Sequence, residues 1–568
     1  MAKTGIDLFL DLLADHGVRY IFGNPGSTEL PLNDALTRDD RIHYVLGLQE
    51  VPVMAMADGF SMASGELGVV NLHACPGLGN AMGMLYNAFR EGTPLLVTAG
   101  QQDRRLYFDE PILGGEMVEV TRAWTKWSVE VQRVENLPSA VRRAVQVALT
   151  PPTGPVFLSL PVDMQMEFVE SLDLDLSPIK IPNSRVRPPK AALEQAVEVL
   201  HLARNPAILA GSRVTERGAN SALVEFAETL GAPVITESGT THGRLAFPSD
   251  HPLYGQGLPP WAPEIHERLK EFDVIFVTGM DLFRLYIHYD PDQAIPRHLK
   301  LVHLDESPRE IGKNFPVEVG IVGDTLAGIQ LLTSRLQAMM TEQQRVKVQQ
   351  RTAQWTAIHE KSRLKLKEQI EAEREVMPLT PLCFMEAIGR VLPDNVAVVE
   401  EAVTTTNTTL ERLGYLKDPK GYFGHRGWGL GWGLGVTLGA QLAWPERKVL
   451  GILGEGAMMY GIQGLWSAVK YQIPATIIVP NNAQYNILKI CAQGMGLSGA
   501  LTGRYEGMDL IGPEYDLVQM ASSMGMRAVR VTTADDLSEA IKESFLIAEP
   551  MLIDTPISRE TGKKLNYG

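Results

Sequence analysis

The feature that most limits what this chain can fold into is a repeated pairing. A short β-branched run ends in a turn bearing glycine or asparagine, and a helical stretch follows. IFGNPGST, VVNLHACPGLG and LLVTAGQQ do this in the first 102 residues. AILAGSRV and FVTGMDL do it in the middle of the chain, and VLGILGEG and IIVPNNAQ near its end. Strands that alternate with helices imply parallel sheets covered by helices on both faces. Such sheets place ligands at the carboxyl ends of their strands.

The alternation falls into three α/β blocks. In the first, Ile6 to His16 reads as a helix and Val18 to Phe22 as a strand. His43 to Leu48, Leu67 to Leu72, Leu95 to Ala99 and Val156 to Leu160 are further strands, with a helix over Glu50 to Ser64. Ser177 to Lys190 is polar and proline-bearing, a linker. Strands at Ala207 to Ala210, Pro233 to Thr236, Val274 to Thr278 and Leu301 to Leu304 make the second block. Residues 336 to 375, rich in Gln, Lys, Arg and Glu, read as a charged surface helix stopped by Pro378 and Pro381. The third block has strands at Val396 to Val399, Val449 to Leu453, Thr476 to Pro480 and Met551 to Asp554. The predicted organisation is therefore 1–180, 190–340, a linker helix over 341–377, and 378–568.

Composition removes several function classes. Fifty-two Lys and Arg against 67 Asp and Glu give a net charge of −15, which argues against a binder of nucleic-acid backbones. Three cysteines, Cys75, Cys383 and Cys491, are too few and too far apart for a disulfide framework or a zinc knuckle. The start, MAKTGIDLFLDLLADHGV, carries acids inside its apolar stretch and reads as an amphipathic helix rather than a signal peptide. Trp428 to Trp444 is the most apolar stretch, but its five glycines mark a loop entering a buried helix rather than a membrane span. A cytoplasmic protein without membrane or nucleic-acid partners is expected.

Four stretches carry chemistry. Gly454-Glu455-Gly456 and Asn481-Asn482 each follow a strand, so an acid and an amide 27 residues apart could share one hard cation. The glycines would let a backbone approach a diphosphate. Glu50, in LQEVPVMAMADGF, opens an apolar helix and should be partly buried. His73 ends a strand before a Pro-Gly turn, and GNPGSTELP presents Ser27 and Thr28 on a tight turn. Taken singly, each is equally readable as a strand–turn–helix corner, a solvated first-turn acid, a structural histidine or a helix cap.

Together, in this order, they make the chain resemble the thiamine-diphosphate-dependent 2-oxo-acid decarboxylase and acetohydroxyacid synthase family. The benzoylformate decarboxylase branch is the nearest. The matching stretches are FGNPGSTELP, LQE…ADGF, NLHACPGLGNAMG, PLLVTAGQQ, GPVFLSLPVD and LAWPERKVLGILGEG. The resemblance implies three flavodoxin-like domains: an aminopyrimidine-binding domain, a central domain, and a domain for diphosphate and Mg²⁺. It implies a homo-oligomer, a dimer at least and commonly a tetramer, acting on a small 2-oxo acid. Glu50 would hydrogen-bond the aminopyrimidine and drive the proton exchange that readies the thiazolium. His73, Ser27 and His288 would serve the substrate, with His73 as proton carrier. Leu430, beside Gly429, would wedge the cofactor into its bent form. Glu455, Asn482 and the carbonyl of Gln484 would hold the metal. Gly454, Gly456, Ala457, Met458, Tyr460, Thr404 and Tyr485 would line the cofactor.

The chain also departs from the family. Glu455 stands where aspartate is usual, and HRGWGLGWGLG is more aromatic and basic than expected. The segment FRLYIHYDP around His288 holds one residue more than its counterpart. Strand ends AGSRV and TGMDL carry no dinucleotide fingerprint, so FAD is not expected. The expected reaction is decarboxylation of an aromatic or branched 2-oxo acid to an aldehyde. An acetolactate-synthase-like carboligase is the alternative, and a ThDP-binding homologue without turnover is a second.

Overall fold

The computed structural model describes residues 3–169, 174–237, 243–259, 261–285 and 294–560. Three six-stranded sheets follow one another along the chain. The first holds β1 (Tyr20–Gly23), β2 (His43–Leu46), β3 (Gly68–Leu72), β4 (Leu95–Gln101), β5 (Ser128–Glu130) and β6 (Val156–Pro161). The second holds β7 (Pro206–Ala210), β8 (Val234–Thr236), β9 (Tyr254–Gly257), β10 (Val274–Thr278), β11 (Lys300–Asp305) and β12 (Val319–Val322). The third holds β13 (Ala397–Glu401), β14 (Tyr422–Phe423), β15 (Val449–Leu453), β16 (Thr476–Asn481), β17 (Arg527–Arg530) and β18 (Met551–Pro556).

All strand pairs in the three sheets are parallel. The orders are β2-β1-β3-β4-β6-β5, β12-β11-β10-β7-β8-β9 and β14-β13-β15-β16-β18-β17. The outer two are the same order, counted within each domain. The middle one is the order of doubly wound dinucleotide-binding sheets, a distinction the expected three like domains did not make.

The interior strands are continuous apolar runs because helices bury both of their faces. Five helices matter for the site: α1 (Gly5–Asp15), α2 (Glu50–Ser64), α3 (Ala74–Glu91), α4 (Glu342–Glu373) and α5 (Trp432–Ala443). The strand over His43 stops at Leu46, two residues short of the expectation, because Gly47 and Leu48 turn toward the start of α2. Helix α4 is the charged helix expected, and only His359, Leu366 and Ile370 are buried along it. Among the described residues no helix is long and apolar enough to cross a membrane.

The glycines of the Trp428 to Trp444 stretch have a packing cause. Helices α2 and α5 lie backbone against backbone. A Cβ added at Gly59, Gly435 or Gly439 would run into Val436, Ala55 or Met56 respectively. Trp432 Nε1 donates to Asp58 Oδ2 at 2.8 Å across this seam, and both residues are buried. One apolar cluster therefore runs from Phe22 and Val53 in the first domain to Leu434 and Leu453 in the third.

Candidate active site

At the carboxyl edge of the first sheet, Glu50 is the first residue of α2 and is 6% exposed. Asn24 Nδ2 donates to its Oε1 at 3.3 Å and Asn80 Nδ2 to its Oε2 at 3.0 Å. No ion pair reaches Glu50 among the described residues. His73 caps α3 nearby: a methyl on Gly77 would lie 3.4 Å from Glu50 Oε1 and 3.5 Å from His73 Cβ. Gly26 packs so closely on the His73 ring that a Cβ there would overlap it.

The sequence reading missed Glu29, the residue that fixes His73. It is 1% exposed, and its Oε2 lies 2.7 Å from His73 Nδ1. Its remaining capacity is filled by the N–H groups of Gly26 (3.0 Å) and Gly100 (2.9 Å) and by Thr28 Oγ1 (2.8 Å). A carboxylate only accepts, so Nδ1 is the donor in this pair, and Nε2 meets no hydrogen-bond partner among the described residues. Ser27, one residue before Thr28, is exposed. His288 lies outside the described residues.

The third-sheet edge is built the same way. Gly454 N–H donates to Glu401 O at 3.1 Å, which sets the corner after β15 beside the segment after β13 that carries half-buried Thr404. Glu455 is 4% exposed, and Asn482 follows the end of β16. Glu455 Oε1 and Asn482 Oδ1 both accept from the N–H of Gln484, each at 3.1 Å. Two hard oxygens thus converge, and no cationic side chain pairs with Glu455 among the described residues. Burial pushes its carboxyl up to about 7, against the main-chain N–H groups that favour the anion. A buried carboxylate and an amide oxygen without a counter-charge suit an oxygen-seeking divalent cation.

Around this corner, the Tyr485 ring lies on Gly456, where a Cβ would come within 2.6 Å. Ala457 is half-buried and Tyr460 is 54% exposed. The Met458 side chain is buried in the shared core, so only its main chain faces the corner. Leu430 is 38% exposed. Its neighbour Gly431 sits between Tyr460 and Val51: a Cβ there would be 2.7 Å from Tyr460 Cβ and 3.0 Å from Val51 Cγ1. The α2–α5 seam thus brings Glu50 and Leu430 to one region. Glu401 caps α5, accepting from the N–H groups of Gly431 (3.0 Å), Trp432 (3.2 Å) and Gly433 (2.9 Å). Burial pushes its carboxyl up to about 7.

The corresponding edge of the middle sheet is filled by side chains. Arg213, after β7, reaches Asp281 at 2.9 Å and Asp305 at 2.8 Å. Arg426, from the loop before α5, reaches Asp281 at 3.1 Å.

Comparison with known proteins shows the family. Models of thiamine pyrophosphate enzymes match in three parts. The N-terminal TPP binding domain matches residues 3–114, the central domain 193–332 and the C-terminal TPP binding domain 402–555. A benzoylformate decarboxylase of Pseudomonas aeruginosa is 33% identical over 98% of this chain and 99% of its own length. An acetolactate synthase large subunit of Haemophilus influenzae is 26% identical over 97% of this chain and 93% of its own. The solved thiamine-diphosphate-dependent 4-hydroxybenzoylformate decarboxylase of Rhodococcus jostii superimposes with a TM-score of 0.84 at 30% identity, over 98% of this chain and all of that one. Benzoylformate decarboxylase from Polynucleobacter necessarius gives 0.85 at 28% identity, over 99% and 100%.

Proposed function

Because the chain belongs to the thiamine pyrophosphate enzyme family, as a thiamine-diphosphate-dependent enzyme of 2-oxo acids, we propose that it decarboxylates an aromatic or branched 2-oxo acid of the benzoylformate type. The product is an aldehyde and CO₂. The observation that carries this reading is half-buried His73 held by buried Glu29 beside Glu50: a fixed proton carrier favours release of a protonated product.

Glu455, Asn482 and the main-chain carbonyl of Gln484 would hold Mg²⁺. The Gly454–Gly456 corner, Ala457, the Met458 main chain, Tyr460, Tyr485 and Thr404 would cradle the diphosphate. Bound thiamine diphosphate supplies a carbon nucleophile and an electron sink for the pair left by CO₂. Glu50, oriented by Asn24 and Asn80, would hold and exchange a proton at its carboxyl oxygens toward the aminopyrimidine. Leu430 would pack against the bound cofactor. His73 Nε2, set by Glu29, carries the proton to the product carbon, and Ser27 offers its hydroxyl to the substrate carboxylate. His288 belongs to the proposed substrate side on the resemblance alone.

FAD has no place in this reading. Support comes from the middle-sheet crevice, where Arg213, Asp281, Asp305 and Arg426 occupy the position a dinucleotide would take. A homo-oligomer, at least a dimer, is part of the proposal. It is supported by large apolar side chains left open near the site edge, Phe108 at 97% and Ile112 at 85% exposure. A cytoplasmic setting accords with three free cysteines.

The likeness to acetolactate synthases favours carboligation as the second reading. The test is product analysis by mass spectrometry after incubation with thiamine diphosphate, Mg²⁺, benzoylformate, pyruvate and branched 2-oxo acids. Benzaldehyde or a branched aldehyde is the expected main product. A hydroxy ketone as main product replaces the decarboxylase reading with the carboligase. Bound cofactor with no product from any acid rejects both in favour of a silent homologue.

A further inference from the structure

Helix α3 begins at His73 and carries a polar stripe along one face. His73, Asn80 and Asn87 are seven residues apart, and seven residues fall about 20° short of two full turns. Glu91 continues the stripe one turn later. Each member touches a different part of the site. His73 meets Glu29, Asn80 donates to Glu50, and Glu91 accepts the main-chain N–H of Arg426.

Asn87 is fully buried, 0% exposed, and it grips Gly429 twice. Its Nδ2 donates to Gly429 O at 2.8 Å, and Gly429 N–H donates to its Oδ1 at 2.9 Å. The carboxamide thus satisfies both main-chain groups of that glycine, as a neighbouring strand would. The fit leaves no room for side chains: a Cβ at Gly427 would overlap Asn87 Oδ1, and one at Gly429 would lie 2.9 Å from it. Between these glycines Trp428 holds φ at +64°, a left-handed conformation that a bulky residue keeps only when its surroundings impose it.

Leu430 follows directly. At 38% exposure it has too little packing to fix its own position. It is bracketed instead. Glu401 of the third domain accepts the N–H of Gly431 on one side, and Asn87 of the first domain holds Gly429 on the other.

We infer that Asn87 is a positioning residue: it fixes the Leu430 loop from the same helix that carries His73 and Asn80, and so sets where Leu430 stands against Glu50. This rests on the cofactor reading above. Asn87→Leu keeps the branching and heavy-atom count, is somewhat bulkier, and removes both hydrogen bonds. Asn87→Asp keeps an acceptor for the Gly429 N–H and loses the donor.

The experiment measures thiamine diphosphate affinity at saturating Mg²⁺ through the tryptophan fluorescence of the full chain. Substrate kcat and KM, and the melting temperature without cofactor, are measured beside it. The proteins are wild type, Asn87→Leu, Asn87→Asp, Leu430→Ala and the Asn87→Leu/Leu430→Ala double variant. The expected result is a tenfold or greater rise in the cofactor Kd for Asn87→Leu and a smaller rise for Asn87→Asp. The double variant should bind no more weakly than Leu430→Ala alone, because Asn87 acts through Leu430. Should Asn87→Leu fail to fold, Asn87→Asp decides by the same Kd. Wild-type affinity in the Asn87 variants overturns the inference. So do losses that multiply in the double variant, the mark of a general structural role. A wild-type chain that binds no thiamine diphosphate overturns the cofactor reading and this inference with it.

Discussion

The first and third sheets share one strand order, while the middle sheet runs in the order of dinucleotide-binding domains. In each, the order in which strands are added reverses between two central, parallel strands: β1 and β3, β7 and β10, β13 and β15. The first crevice is edged by the Gly23 to Glu29 turn and His73, and the third by Thr404 and the Gly454–Gly456 corner. Both keep buried carboxylates, Glu50 and Glu455, that no cationic side chain pairs with among the described residues. In the middle crevice Asp281 and Asp305 are both matched by arginine. Sheet order alone would put a nucleotide in the middle domain. Charge matching points the other way, because a crevice whose charges already pair has less to offer a ligand.

The largest effect should come from Glu50. Glu50→Gln keeps the shape and removes the exchangeable proton, so kcat of the cofactor-loaded enzyme should fall by about 10²–10⁴. Steady-state aldehyde formation checks this. Full turnover would reduce the first crevice to a scaffold and break the contrast with the middle one.

The middle crevice should respond in stability rather than chemistry. Asp305 is 0% exposed and helps neutralise Arg213. Asp305→Ala should cost about 3 kcal/mol, the lower end for breaking a buried pair, because Asp281 remains. Turnover at 25 °C should stay within about twofold, a change small on the catalytic scale. Urea unfolding and kcat separate the two; a large loss of kcat with stability intact would make this crevice functional.

At the third crevice, Glu455→Ala should weaken Mg²⁺-dependent retention of thiamine diphosphate by at least about 10–100-fold, the range for losing only an outer-shell partner of a metal ligand. Equilibrium dialysis with and without Mg²⁺ reads it. Glu455→Asp sharpens the point. If the corner after β15 is tuned to the longer side chain, the shorter aspartate should not restore full retention. Unchanged retention in the alanine variant would remove Glu455 from the metal site.

How much of this was legible in the sequence depends on where a residue sits in the sheet. The central strands were readable because burial on both faces makes them continuous apolar runs. The strands that escaped were Ser128–Glu130, Tyr254–Gly257, Val319–Val322, Tyr422–Phe423 and Arg527–Arg530, every one of them at a sheet edge. Edge strands are short and one-sided. Val319–Val322 alternates buried and exposed, and Arg527–Arg530 has no fully buried residue. The site divides similarly. Glu50, His73, Glu455 and Asn482 stand in local motifs beside strand ends. Glu29 acquires its meaning from Gly100, 71 residues on, and Asn87 from Gly429, 342 residues on. Such partners become visible only after the fold brings them together.

Glu91 lies where these regions meet, on the first-domain helix, under the third-domain loop whose Arg426 reaches the middle crevice. Burial pushes its carboxyl up from 4.5 to about 8, with Arg426 opposing and Asp58 and Glu216 adding to the rise. A carboxyl raised in the folded state stabilises fully below its unfolded pKa, and that stability is lost as pH rises through the folded value. The Glu91 contribution to stability should therefore fall as pH rises toward 8, by at most about 1.4 kcal/mol per unit, and then level; Glu401 and Glu455, raised to about 7, add their own losses to the wild-type curve, and these cancel when wild type is compared with a Glu91 variant. Burial of Asp58 pushes its carboxyl up to about 6, so its own titration lies mostly below this window. Glu91→Gln replaces the titrating group with a neutral one that still accepts the Arg426 N–H. The gap between wild type and variant in melting temperature should narrow or reverse as pH rises from 6.5 to 8.5. Parallel curves would mean that Glu91 stays charged, and that the seam joining the open crevices to the closed one is held by a carboxylate accepting the Arg426 main-chain N–H rather than by a buried proton.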